Sequence, residues 1–221
     1  MTGRAVADVE EAGPVTSENT EPVVHIVDDD ADLRQSLVFL LESIGVQALT
    51  YPDAGTFLAE FDPAEVAVVI VDVRMPGISG FQLQDRLLEM DYPAPVVFCS
   101  AHGDIPMSVR AVTRGAVDFL EKPYQPQRMV ELVQAQLDEA RHRFAEHAER
   151  SAVAARLQSL TPREREVLRL VIEGLPSQTI AGKLGTSVKT VDVHRARIKA
   201  KADAESLATL VRDILLHRVE V

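Results

Sequence analysis

From Val23 onward the chain alternates between two incompatible residue periods, and no other feature constrains its fold as much. Short runs rich in β-branched residues, at Val23 to Val27, Gln47 to Thr50, Val66 to Val71, Val96 to Cys99 and Phe119 to Leu120, are separated by segments with helical spacing, such as Leu33, Leu37, Leu40, Leu41 and Ile44. A strand sends successive side chains to opposite faces, whereas a helix groups residues three and four apart. Continuous apolar runs suit strands buried on both faces, and five of them alternating with helices predict a parallel sheet covered on both sides by right-handed crossovers. The expected fold class for residues 23–126 is therefore α/β, a doubly wound (βα)5 domain.

Such sheets bind ligands at the carboxyl ends of their strands. Four of those ends carry polar chemistry here: Asp28-Asp29-Asp30, Asp72 ahead of Arg74-Met75-Pro76-Gly77, Ser100, and Lys122-Pro123. Each alone has an ordinary explanation. An Asp before a Pro-Gly turn is usually a turn former, Lys122 a surface cation, Ser100 a loop hydroxyl and Phe119 a packed strand aromatic. Together the four ends favour one shared site. Two confined carboxylates repel each other, and a divalent cation such as Mg²⁺, held by one or two carboxylates plus waters and phosphate oxygens, is a natural compensation. An aspartate is also a nucleophile toward phosphorus, giving an acyl phosphate whose charge fixed donors such as Lys122 and Ser100 would meet.

At 221 residues and 46% apolar, the chain has room for two cores. The lone Cys99 permits no internal disulfide and reads as a small core residue. No run approaches the roughly 18 apolar residues of a membrane span, and the acidic first twenty residues do not form a signal peptide, so the expected location is the cytoplasm. The net charge of −11 is unevenly spread: residues 1–22 carry −4, residues 23–125 carry −10, residues 126–158 balance, and residues 159–221 carry +3. Only the last segment could face phosphates.

Residues 1–22 lack any period and read as a disordered tail. Residues 127–158 read as one extended helix, the end of the last α/β helix followed by a solvated linker, with a paired helix as the alternative. Residues 159–221 read as a small all-α domain of four helices. Thr161-Pro162-Arg163-Glu164 fits an N-cap, a first-turn proline and a reciprocal cap. Ser177 is expected to cap the second helix and Ser187 the third, with Gly185 turning the chain between them as in a helix-turn-helix. Val188, Val191 and Ile198 are expected to face inward, along with Leu207, Leu210, Val211, Ile214 and Leu215 of the last helix. That leaves Lys189, Thr190, Asp192, Val193, Ala196, Arg197 and Lys199 on the outward face or its flanks, where cations and Thr190 suit phosphates, Asp192 suits cytosine N4, and Val193 or Ala196 a thymine methyl.

On these motifs, residues 23 to about 125 resemble the receiver domain of two-component response regulators, a flavodoxin-like fold. The acidic pair is matched by Asp28 and Asp29, the phosphoacceptor by Asp72, the switch hydroxyl and aromatic by Ser100 and Phe119, and the lysine before a cis-linked proline by Lys122. Ala101-His102-Gly103-Asp104-Ile105-Pro106-Met107 is similar to the FixJ branch. Residues 159 to about 202 resemble the LuxR-type helix-turn-helix of NarL/FixJ regulators, in Leu160 to Leu168 and in Ser187-Val188-Lys189-Thr190-Val191-Asp192-Val193-His194-Arg195. Two stretches depart from the pattern, Pro176-Ser177-Gln178 and Ala202-Asp203-Ala204; the second is expected to alter the turn before the last helix.

The resemblance implies that Mg²⁺ binds through Asp28, Asp29, Asp72 and the backbone carbonyl of Arg74. It further implies phosphorylation of Asp72 by a sensor histidine kinase, followed by homodimerisation near Ala111, Val112 and Arg114. DNA binding would involve Lys189, Thr190, Asp192, Val193, His194, Arg195, Ala196, Arg197 and Lys199, at double-stranded promoter DNA and with RNA polymerase as a further contact. The expected function is a transcription regulator, an activator by family habit, and not an enzyme. Two rivals are a regulator of the same fold that ignores phosphate and a phosphotransfer enzyme working through an aspartyl intermediate.

Overall fold

The computed structural model of the chain describes residues 21–101 and 105–221; the expected tail up to residue 20, and His102, Gly103 and Asp104 of the FixJ-like stretch, lie outside the described residues. The chain divides into two units, one ending at Arg141 and the other comprising His142–Val221.

In the first unit the elements are β1 (Val23–Val27), α1 (Ala31–Glu42), β2 (Ala48–Tyr51), α2 (Ala54–Glu60), β3 (Ala67–Asp72), α3 (Gly80–Glu89), β4 (Val96–Ser100), α4 (Ile105–Thr113), β5 (Asp118–Glu121) and the start of α5 (Pro126–Gln158). The strands form one sheet in the order β2-β1-β3-β4-β5, every neighbouring pair parallel. The α/β reading holds, and strand limits differ from the periodicity by one or two residues. Along β1 and β3 all residues are buried, as helices on both faces require. Val24, Ile26, Val68, Ile70, Val97 and Cys99 face Leu37 and Leu41 of α1 and Met129, Val133 and Leu137 of α5. His25 packs among the rings of Tyr51 and Phe57 instead.

Sheet order and register make the site. The central neighbours β1 and β3 pair Val27 with Val71, so the next residues stand side by side, Asp28 just beyond β1 and Asp72 as the last residue of β3. The helices begin at defined caps. The Asp30 carboxylate accepts the backbone N–H groups of Asp32 and Leu33 at the start of α1, and Ser79 and Gln82 close a capping box on α3. Gly80, the first residue of α3, is buried so tightly that an added Cβ would stand 2.3 Å from the Asp72 carbonyl oxygen.

The second unit contains the end of α5, then α6 (Pro162–Ile172), α7 (Ser177–Leu184), α8 (Val188–Lys201) and α9 (Leu207–Leu216). Thr161 and Glu164 form the expected capping box, and Gly185 takes the left-handed conformation that ends α7, at φ 62°. Val153 and Leu157 of α5 join Val167, Leu168, Ile180, Val191, Ile198, Leu210 and Ile214 in the core. The first turns of α5 pack into the first unit's core as expected, and the expected solvated linker is corrected only at its far end, where Val153 carries the apolar stripe beyond the charged middle into the second core.

Three local expectations, at Ser177, Val188 and Leu215, also change. Pro176, not Ser177, occupies the N-cap of α7, where no side chain caps the helix. Val188, in the first turn of α8, is exposed, and so is Leu215, which stands about 100° around α9 from the buried Ile214. The left-handed residue before α9 is Asp203, at φ 45°, while Ala204 is buried. No described helix is long and apolar enough to cross a membrane.

Candidate functional site

At the carboxyl end of the sheet, Asp28 and Asp72 are 2% and 6% exposed, so two carboxylates are almost removed from water. They share one cation. Lys122 Nζ donates to Asp28 Oδ2 at 2.6 Å and to Asp72 Oδ1 at 2.8 Å. Lys122 reaches them from the end of β5, where its backbone N–H donates to the Ser100 carbonyl at 2.8 Å and its bond to Pro123 is cis. The other Asp72 oxygen, Oδ2, accepts the Arg74 backbone N–H at 2.5 Å, and Asp28 Oδ1 accepts that of Asp30 at 3.0 Å.

Burial raises the Asp28 pKa from its ordinary value, against the opposing pull of Lys122 and the Asp30 N–H. Burial likewise disfavours the Lys122 ammonium, but its hydrogen bonds and charge interactions with the two carboxylates outweigh this and raise its pKa. The ammonium is therefore held charged between the two acids. Cys99, next to Ser100 on β4, is buried in the core and its thiol is pushed up to about 12, in keeping with a packing role.

Ser100 is buried at the end of β4, while Asp29 is exposed just beyond β1 and Arg74 is exposed in the loop after β3. Phe119 on β5 is half-buried, its ring 6.5 Å from that of Phe98. The strand ends thus bring Asp28, Asp72 and Lys122 into contact. Among the described residues there is no group of three or more His, Cys, Asp or Glu side chains poised as metal ligands. Two acids, a main-chain carbonyl and water nevertheless match the sparse protein donor set that Mg²⁺ takes. Periodicity did not reveal Arg34, whose guanidinium donates to the Asp28 carbonyl. It lies one helical turn beyond the Asp30 cap, and only the folded turn brings it back.

On α4, Ile105, Val109 and Val112 are exposed, but Ala111 is fully buried. Ala111 therefore cannot lie on the expected dimer surface, because it is the inward position of a one-sided helix. Arg114 is half-buried and paired with Asp85.

On α8, Lys189, Thr190, Asp192, Val193, Ala196, Arg197 and Lys199 are exposed, and His194 and Arg195 are half-buried on its flanks. Ser187 caps the helix and its hydroxyl lies 2.8 Å from that of Thr190. The Asp192 Oδ1 accepts a hydrogen bond from Ser177 Oγ at 2.8 Å, across the turn between α7 and α8. Lys201, which the outward-face pattern omitted, donates to the buried Glu164 Oε2 at 2.7 Å and to the Ser159 carbonyl at 3.2 Å, fastening the end of α8 to α6.

Comparison with known proteins fits this geometry. Residues 24–134 match the response regulator receiver domain, and residues 158–213 match the bacterial regulatory proteins of the luxR family. The chain is 38% identical over 193 residues to the transcriptional regulatory protein FixJ of Bradyrhizobium diazoefficiens, covering 87% of this chain and 94% of that protein. It is 42% identical to the C4-dicarboxylate transport transcriptional regulatory protein DctR of Rhodobacter capsulatus, with 86% and 97% covered. Among solved structures, the response regulator StyR matches with a TM-score of 0.65 at 40% identity, over 89% of this chain and all of that one. Full-length FixJ from B. japonicum matches with a TM-score of 0.52 at 36% identity, over 90% and 98%. The two family matches cover the strand-end pocket and the helix-turn-helix described above, and the chain belongs to the response regulators of the NarL/FixJ family, transcription regulators that join a receiver domain to a LuxR-type DNA-binding domain.

Proposed function

We propose that Asp72 is the phosphoacceptor and that its phosphorylation by a sensor histidine kinase promotes homodimerisation and promoter binding, with transcription activated through contact with RNA polymerase. The observation that carries this reading is the lysine bridge: Asp72 sits in a nearly dry pocket with a fixed cation 2.8 Å from one oxygen and a backbone N–H 2.5 Å from the other. In the transfer, an Asp72 oxygen bonds to phosphorus as the bond from phosphorus to the donor breaks, leaving an acyl phosphate. Lys122 meets the charge of the phosphoryl oxygens, and Ser100 supplies a hydroxyl beside them. When bound, Mg²⁺ would neutralise phosphoryl charge, and Asp28, Asp29, Asp72 and the Arg74 carbonyl are the groups that would hold it.

Phosphorylation adds between one and two negative charges at Asp72. Ser100 then turns toward the phosphoryl group and Phe119 packs inward, which changes the α4–β5 face bearing Val109 and Val112. In this reading residues 23–126 form the receiver and 159–221 the DNA-binding domain, with 127–158 as the connecting helix, and the protein works in the cytoplasm. A coupling of about 1 to 3 kcal/mol between phosphate and DNA sites is enough for such regulation.

The test is selection of genomic DNA fragments at fixed salt by wild type and Asp72→Asn, each treated with a small phosphodonor and Mg²⁺. Enrichment of paired half-sites by wild type alone is expected. Equal enrichment by both would show that the receiver is not the switch, and enrichment by neither would remove the DNA-binding assignment.

A further inference from the structure

Asp192 is the only acid in α8, against five cations at Lys189, Arg195, Arg197, Lys199 and Lys201. An exposed carboxylate in the middle of a surface that approaches a polyanion weakens binding unless a donor meets it. Base edges supply such donors selectively. In the major groove cytosine presents N4–H₂ and adenine N6–H₂, whereas guanine O6 and N7 and thymine O4 are acceptors that repel a carboxylate. The side chain is also held in place: Ser177, the first residue of α7, donates to its Oδ1 at 2.8 Å, leaving Oδ2 as the oxygen Ser177 does not hold. Pro176 occupies the N-cap of α7 and no side chain makes a capping hydrogen bond, so the Ser177 hydroxyl is not used there.

We propose that Ser177 is a positioning residue for sequence readout, its hydroxyl fixing the Asp192 carboxylate so that α8 selects a base bearing an exocyclic amino group, cytosine foremost, at one position of each half-site. This rests on the reading of α8 as the helix that enters the groove. The hydroxyl links the two helices of the motif, so base preference at this position depends on a residue outside the reading helix. A fixed carboxylate discriminates because it cannot swing away from an acceptor; a free one can.

The test is selection from a randomised duplex library by the full-length, phosphodonor-treated protein, comparing wild type with Asp192→Ala, Asp192→Asn, Ser177→Ala and Ser177→Thr. Wild type is expected to prefer one amino-bearing base by about tenfold at a single half-site position. Asp192→Ala abolishes that preference, and Asp192→Asn moves it toward adenine, whose N6 and N7 an amide meets together. Ser177→Ala reduces it several-fold with the salt dependence of binding unchanged, and Ser177→Thr, which keeps the hydroxyl, restores it. A merely structural tie would alter melting temperature or overall affinity and leave the base preference intact, which overturns the proposal. Loss of preference in Asp192→Ala without any change in Ser177→Ala also overturns it, although α8 then remains the reader. An unaltered preference in all four variants removes Asp192 from readout altogether.

Discussion

Replacing Lys122 with Met keeps the aliphatic stem but removes the charge that Asp28 and Asp72 share. Two oxygens hydrogen-bonded to one ammonium lie within about 5 Å of each other, and at an effective dielectric constant of about 20 their repulsion is about 3 kcal/mol. That repulsion adds to the burial that already raises Asp28, so without the ammonium the pair keeps one proton to higher pH. A carboxylic acid whose folded pKa is raised contributes stability below its unfolded pKa and loses it as pH rises through the folded value. Lys122→Met should therefore be close to wild type in stability at acid pH, where the pair keeps a proton, and lose about 3 kcal/mol as rising pH removes it. Millimolar Mg²⁺ should return much of this loss at pH 7, because a cation that binds only the folded state stabilises it by mass action. The chain has no Trp, and its three tyrosines, Tyr51, Tyr92 and Tyr124, all belong to the first unit, so tyrosine fluorescence in urea follows that unit alone. A destabilisation that stayed constant from pH 5 to pH 8 and ignored Mg²⁺ would refute the shared-cation account.

Three further outcomes are expected. Gly80→Ala should lose about 2 kcal/mol or more and slow labelling of Asp72 by a phosphodonor, because the new Cβ meets the Asp72 carbonyl 2.3 Å away and backbone cannot step aside; a variant with wild-type melting temperature and labelling would disprove this. Burial lowers the His25 pKa to about 4, so the unfolded chain takes up a proton between pH 6.5 and 4 that the folded chain refuses. Stability should fall by about 3 kcal/mol as pH drops through that window, and His25→Phe should flatten the slope in urea titrations. Burial pushes the Glu164 carboxyl up, but hydrogen bonds from Lys201 and Thr161 outweigh it and hold the pKa at about 2, so its contribution is present above pH 4.5 and lost as pH falls toward 2. With Lys201 partly exposed and screened, Glu164→Gln should lose about 1 to 2 kcal/mol at pH 7 in thermal unfolding, and a loss that persisted unchanged at pH 2.5 would contradict the ion pair.

Period and chemistry along the chain determined the α/β class, the helix-turn-helix, the capping box at Thr161 and Glu164, and the set of strand ends from which Asp28, Asp72, Ser100 and Lys122 come. Those features are legible because they depend on local backbone geometry and on which residues must leave water, and both are written at short range. Tertiary structure alone decided what is shared across distance. The order β2-β1-β3-β4-β5 puts β1 beside β3, and only then do Asp28 and Asp72, 44 residues apart, take hydrogen bonds from one Lys122. The same limit explains the misplaced residues. Val188 is an apolar side chain left outside in the first turn of α8, Leu215 lies beside the buried Ile214 on a face turned from the core, and Ala111 faces inward on a helix whose outer face alone is free. Ser177 looked like a cap because Ser often is one, yet its hydroxyl is drawn to a carboxylate 15 residues away. A periodic pattern tells which face of an element is apolar; which element covers that face, and which polar group reaches which, follows from packing three-dimensional neighbours that no sequence spacing encodes.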